Sequence, residues 1–146
     1  MAKFKYKYES LKRIKEALEK KVQREINVID IDIRRCENEV VGMNGKKTEQ
    51  KEKMYAKKNL KNSELQFLNN FMNYMDGQIR QKKEEITRLN RSREHKLLEL
   101  IEKSKELKVF SVLEEKHLEQ FTYEQNKIEQ NELDEIASKK ITKEGE

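Results

Sequence analysis

Apolar residues recur by threes and fours through the first third of the chain. The series is Phe4, Tyr8, Leu11, Ile14, Leu18, Val22, Ile26, Ile29, Ile33, Cys36, Val40 and Met43. The mean step is about 3.5 residues, the spacing that keeps an apolar seam on one face of a supercoiled helix. A disordered chain has no reason to carry such a seam. Val28 to Ile33 also alternates apolar and polar with period two, as a strand does. The longer helical register overrules that short alternation.

A stricter seam follows. Leu65, Met72, Ile79 and Ile86 lie one heptad apart, and the track continues through Arg93, Leu100, Leu107, Glu114, Phe121 and Ile128. Leu68, Met75 and Leu89 supply the alternate row early on; later it drifts to Leu97, Phe110 and Leu118. Arg93 and Glu114 interrupt the seam with charge, a device that can fix register and partner choice.

Between the seams the pattern weakens. Gly42, Asn44 and Gly45 cluster, and helix C-termini favour these residues. Ser63 and Gln66 have capping-box spacing just before Leu68. The first helix is therefore expected over about residues 4–43, continuing to about 60 if the glycines only kink it. The turn falls within 42–63, and the second helix runs over about 64–138. About 75 residues of helix would extend about 110 Å. The tail 139–146 lacks a seam and is expected to fray. The fold class predicted is all-α: a long antiparallel two-helix coiled-coil hairpin, a single domain over 1–138. The competing arrangement is a pair of unpartnered seams that oligomerise, which mass in solution distinguishes.

Composition agrees with long helices. Of 146 residues, 42% are charged and 34% hydrophobic, with no proline and four glycines. That is too little apolar content for an ordinary globular core. The net charge of +5 is small against 33 basic and 28 acidic residues. The signs are mixed along most of the chain, as on a solvated helix surface. Only the start has basic excess, with Lys3, Lys5, Lys7, Lys12, Arg13 and Lys15. Interleaved aromatic and basic residues are confined to this stretch, so no nucleic-acid partner is expected. No apolar run approaches the roughly 20 residues of a membrane span, and no apolar segment follows the basic start as in a signal peptide. A cytoplasmic protein is expected, reaching a membrane only peripherally and without direct insertion.

Catalytic chemistry finds no footing. There is no glycine-rich phosphate loop, and His95 and His117 have no second ligand at metal-binding spacing. Asp30 and Asp32 lack the turn glycine and closing glutamate of a calcium loop. Cys36 falls on the seam and reads as a small buried hydrophobe. No catalytic residue, cofactor or metal is expected, and the chain is read as a non-enzyme.

One feature exceeds what the seam requires. Phe67, Phe71, Tyr74 and Gln78 form a second helical stripe. With Leu65, Met72 and Ile79 at heptad position a, Phe67 and Tyr74 are at c, Phe71 at g and Met75 at d. These faces are neighbours, whereas a two-helix seam uses only a and d. The stripe is either a cap packed under the turn or an exposed aromatic platform for another protein.

Several segments resemble the FliJ family of flagellar type III export proteins. Phe4-Lys5-Tyr6-Lys7-Tyr8-Glu9-Ser10-Leu11 is similar to that family's opening of alternating aromatic and basic residues. Ser63-Glu64-Leu65 to Leu89 resembles its central helix start, and Arg93 to Leu100 its arginine-and-lysine stretch. Glu132-Leu133-Asp134-Glu135-Ile136-Ala137 resembles its C-terminal signature. The resemblance implies an antiparallel coiled coil similar to the central stalk of rotary ATPases. It implies three partners: the hexameric flagellar export ATPase, the membrane-embedded export gate protein and flagellar export chaperones. The location implied is the cytoplasmic face of the cell membrane. It places gate contact at Phe71 and Met75, within the stripe of Phe67, Phe71, Tyr74 and Met75. ATPase contact is expected at the end carrying both termini, where Phe4, Tyr6 and Tyr8 would approach Leu133 and Ile136. The alternatives are a structural coiled-coil scaffold and the equivalent stalk protein of a virulence secretion system.

Overall fold

The computed structural model describes residues 2–145. Two helices account for nearly all of them: α1 over Glu9–Tyr55 and α2 over Asn62–Glu144. They pack against each other as a hairpin, and no strand occurs among the described residues. No described helix is long and apolar enough to cross a membrane. Packing divides the chain into two units. One covers Lys21–Ile101; the other joins the stretch up to Lys20 with the chain from Glu102 onward.

In the Lys21–Ile101 unit, the seam becomes a narrow core. Val22, Ile26, Ile33, Cys36 and Met54 are buried from α1, and Met75 and Ile79 from α2. Ile26 is 2% exposed and Cys36 fully covered. From Val22 to Cys36 these core residues are three, four or seven apart, the interval at which side chains return to one helix face, and Met54 follows five turns later. Of Ile29, Ile31 and Ile33, which carry the short period-two alternation, Ile31 points outward while Ile33 is buried. A strand would have kept all three on one face, but the helix takes Ile31 off the seam.

Ion pairs flank this core. Lys96 reaches Glu25 at 2.6 Å, Arg93 reaches Asp30 at 2.5 Å, and Lys82 reaches Glu39 at 2.8 Å. Lys47 pairs with Asp76. Advancing along α1 from Glu25 to Lys47 lowers the partner's number from 96 to 76, which is the antiparallel register. Arg93, a break in the apolar seam, is thus matched by an acid on the opposite helix.

The other unit has a different character. Lys15 lies 2.9 Å from Glu106, and Lys12 pairs with Glu114. Because these lysines lie across the helix interface, Leu11 and Ile14 sit at its edge, about half exposed, rather than at its centre. The first helix begins at Glu9, not at Phe4 as the spacing suggests. The Glu9 amide bonds the Tyr6 carbonyl at 3.2 Å, and the Lys12 amide bonds the Tyr8 carbonyl at 2.9 Å, which closes the first turn.

The chain reverses over residues 56–61. The Gly42–Gly45 cluster does not end α1; the helix continues to Tyr55 because the seam does. Met43, Lys47, Gln50 and Met54 step by four, three and four, and all are at least half-buried. A Cβ at Gly42, Gly45 or Gly77 would meet nothing within 4 Å. No close approach requires these glycines, and each weakens its helix by about 1 kcal/mol relative to alanine. The first turn of α2 is closed on Lys61, whose carbonyl accepts from the Glu64 and Leu65 amides. At the other end, the seamless stretch expected to fray from Lys139 is helical through Glu144. Lysines near a helix C-terminus favour it through the helix dipole, and Lys139, Lys140 and Lys143 lie there.

The seam ion pairs make stability depend on pH from both sides. Hydrogen bonding to Lys96, Lys82 and Lys15 respectively holds Glu25, Glu39 and Glu106 below the ordinary glutamate value. Hydrogen bonding to Glu114, Glu39 and Glu25 raises Lys12, Lys82 and Lys96 above the ordinary lysine value. A lowered acid stabilises the fold above its unfolded pKa, and that gain disappears as pH falls through the folded value. A raised lysine stabilises below its unfolded pKa, and that gain disappears as pH rises through the folded value. The thermal midpoint should therefore be flat through neutral pH and fall on both the acid and the alkaline side. Molar salt should shrink both falls by screening these half-exposed pairs. A midpoint unchanged down to full glutamate protonation would show that the pairs contribute nothing to stability.

Candidate functional site

Three surfaces carry the residues expected to make contacts: the aromatic stripe at the start of α2, the N-terminal segment, and the far end of α2.

The stripe belongs to the Lys21–Ile101 unit. Phe67 and Phe71 stack, with ring centroids 6.5 Å apart and planes 18° from parallel. Phe67 is 59% exposed and Tyr74 65% exposed. Phe71 is half-buried beneath Phe67, and Met75 is buried in the core. The four residues are graded, from a core anchor at Met75 to open rings at Phe67 and Tyr74. A cap packed under the turn would have covered Phe67 and Tyr74. Instead two aromatic rings remain in water, a costly arrangement for a free surface and a common one at interfaces.

Residues 2–6 lie outside any helix, and the side chains from Lys3 to Tyr8 alternate. Phe4 and Tyr8 are half-buried and Tyr6 is buried, while Lys3, Lys5 and Lys7 are exposed. The period of two is that of an extended chain lying on a surface, which explains why the helix waits until Glu9. The surface is the middle of α2. Phe4 meets Phe121 at 5.6 Å between centroids. The Tyr6 hydroxyl donates to the Phe110 carbonyl at 2.8 Å. Tyr6 and Tyr8 both lie against the His117 ring, at 5.7 and 6.1 Å. Burial and the nearby Glu114 carboxylate push the Tyr6 phenol up. The expected approach of Phe4, Tyr6 and Tyr8 to Leu133 and Ile136 does not occur. They sit against residues 110–121 because α1 is 47 residues long and α2 is 83. The shorter limb reaches its end well before the longer one.

The rest of α2 therefore overhangs. Every residue from Asn126 to Gly145 is exposed. Ile128, Leu133 and Ile136 project into water, with Leu133 61% and Ile136 62% exposed. This overhang is the feature that spacing alone missed, since it depends on where the turn and the first helix fall. The signal available was the alternation from Lys3 to Tyr8, which shortens α1 at its start.

Among the described residues, no group of three or more His, Cys, Asp or Glu side chains is placed to hold a metal ion. Cys36 is buried and unpaired to any other cysteine. The surfaces on view suit protein contact: aromatic rings, an aliphatic overhang and a row of lysines.

No curated protein and no solved structure matches the chain. A family model described as flagellar FliJ protein matches residues 4–146. Helical seams, hairpin and match thus converge over nearly the whole sequence: the chain belongs to the FliJ family, a non-enzymatic component of the flagellar type III export apparatus.

Proposed function

We propose that the protein is a stalk-like adaptor that binds the flagellar export ATPase hexamer and the membrane export gate and escorts export chaperones. The observation that carries this reading is the family match across residues 4–146. The exposure of two separate apolar surfaces supports it. Phe67, Phe71 and Tyr74, seated on Met75, form the gate contact. Leu133 and Ile136 on the overhang form the ATPase contact. Phe4, Tyr6 and Tyr8 act there by pegging the N-terminal segment to α2, which leaves Lys3, Lys5 and Lys7 facing outward. Exposed charges of this kind steer approach, and apolar anchors hold the complex once formed. The adaptor works at the cytoplasmic face of the membrane, docked on the apparatus rather than inserted in the bilayer.

The test is addition of the purified chain to the export ATPase. The expected result is co-purification, promoted ring assembly and a higher hydrolysis rate, with no hydrolysis by the chain alone. Stoichiometric addition that leaves assembly and rate unchanged would remove the stalk role.

A further inference from the structure

The fold sorts the charges of α1. From Lys21 to Gly45 the chain carries four cations and five acids, a mixture with no basic bias. Three of the acids turn toward α2, where Glu25 pairs with Lys96, Asp30 with Arg93 and Glu39 with Lys82. Asp32 and Glu37 lie on the sides of the helix. The face turned away from α2 keeps all four cations, Lys21, Arg24, Arg34 and Arg35, and holds no acid. Every residue on it is exposed. Arg24 and Arg34 form no ion pair among the described residues, and Arg35 reaches Asp32 and Glu39 only at 3.8 and 4.0 Å.

The spacing on this face is that of a second, outward seam. Arg24, Ile31, Asn38 and Gly45 follow one another by sevens, and Val28, Arg35 and Gly42 do so beside them. Rows of this kind meet a partner helix along its length. Val28 and Ile31 stand in water between Arg24 and Arg35. Gly42 and Gly45 leave open space where a Cβ would stand, so another backbone can come close. A bilayer surface is instead met by large apolar side chains such as Trp, Phe and Leu, and this face has none of them. Arginine engages a carboxylate through two parallel hydrogen bonds, so the complementary groups on a helix are Glu and Asp.

We infer that the outer face of α1 from Lys21 to Gly45 docks an acidic amphipathic helix of another protein. Its carboxylates meet Arg24, Arg34 and Arg35, and its apolar stripe lies on Val28 and Ile31. The contact is separate from the gate and ATPase contacts, since it uses none of their residues. The apolar strip is small and supplies modest attraction. The cations supply selection and steer approach, because charge sets partner choice more than raw affinity. Two copies of this face would juxtapose like charges, which opposes self-association through it.

The experiment uses the full chain and two synthetic helical peptides that share a leucine stripe, one with glutamate flanks and the other with lysine flanks. The glutamate peptide should bind at least about tenfold more tightly than its twin, the scale on which opposed charge discriminates. Arg24→Gln with Arg34→Gln should weaken the glutamate peptide, and Arg24→Glu with Arg34→Glu should abolish its advantage. Ile31→Ser should weaken it too. These positions are exposed and outside the core, so the variants should melt near the parent. Lys5→Gln with Lys7→Gln should leave the preference intact. Equal binding of the two peptides, binding of neither, or a preference that survives Arg24→Glu with Arg34→Glu overturns the inference. A preference lost in the Lys5, Lys7 variant overturns it as well, by moving the contact to the N-terminal segment. Vesicles of phosphatidylserine and phosphatidylcholine are the rival probe. If the arginine variants lose vesicle binding while the peptides show no preference, the face belongs to an anionic membrane and the inference fails. It also fails if the mass of the parent rises with concentration and that of the Arg24→Glu, Arg34→Glu variant does not, since a second copy would then be the occupant.

Discussion

Replacing Ile26 by alanine is expected to remove about 2–5 kcal/mol of stability and lower the melting temperature by roughly 6–20 °C. A two-helix structure buries few side chains, so each buried one carries a large share. Ile26 is 2% exposed and lies between the Glu25–Lys96 and Asp30–Arg93 pairs. Those pairs hold the helices at their present spacing, so the cavity left by alanine cannot close fully. The cost is therefore the lost transfer energy together with the void. Ile31→Ala is the control. Ile31 is 60% exposed on the outer face of the same helix, and its loss should stay within about 0.5 kcal/mol. Equal melting of the two variants would mean that the seam is not the core.

The second large effect concerns the gate. Phe67→Ala combined with Phe71→Ala should weaken gate binding by more than about 2 kcal/mol, roughly thirtyfold. Phe67 contributes an open ring and Phe71 the ring it stacks on. Stability should fall much less, because neither ring belongs to the buried core. Phe67→Ala alone is the cleaner probe of contact, since that ring touches mainly water and Phe71. Met75→Ala should behave in the opposite way, melting the hairpin first, because Met75 is buried. A double variant that melts far below the parent yet binds the gate normally per folded molecule would assign the rings to packing instead.

Periodicity revealed the helices and most of the α1 core before any coordinates. Val22, Ile26, Ile33 and Cys36 all lie on the spaced series, since burial along a coiled coil is a local property of spacing. The reversal was harder. Gly42, Asn44 and Gly45 carry a strong local signal for a helix end, but the half-buried Lys47 and Gln50 continue the seam to Met54 without being apolar. A polar side chain can hold a seam position when its stem packs and its head reaches water, and hydropathy does not register this. The same blindness affected Lys82 and Lys96. They occupy the alternate row of α2, where the apolar pattern fails and ion pairs to α1 take over.

The candidate surfaces divide similarly. The aromatic stripe was legible because it needs only the geometry of one helix. The overhang and the N-terminal segment were not, because they depend on comparing two limb lengths. An error of a few residues at the turn or at the start of α1 moves every pairing at the open end. Lys3 to Tyr8 had the right pattern for an extended segment, but its aromatic positions also fit the start of a helical series, and that series won.

The glycines have a mechanical meaning. Gly42 and Gly45 lie between Glu39 and Lys47 on α1, and Gly77 lies between Asp76 and Lys82, the partners of those two residues. Both limbs therefore carry their weakest helical residues at one level, close to the aromatic stripe. Bending resistance in a paired rod is set by its most compliant cross-section, and glycine has the lower helix propensity on both rods here. Ion pairs lie on either side of this level, so any bending that the glycines ease would fall between them. A stripe docked on a fixed gate would thus ride beside a built-in elbow, able to stay seated while the adjacent limbs sway.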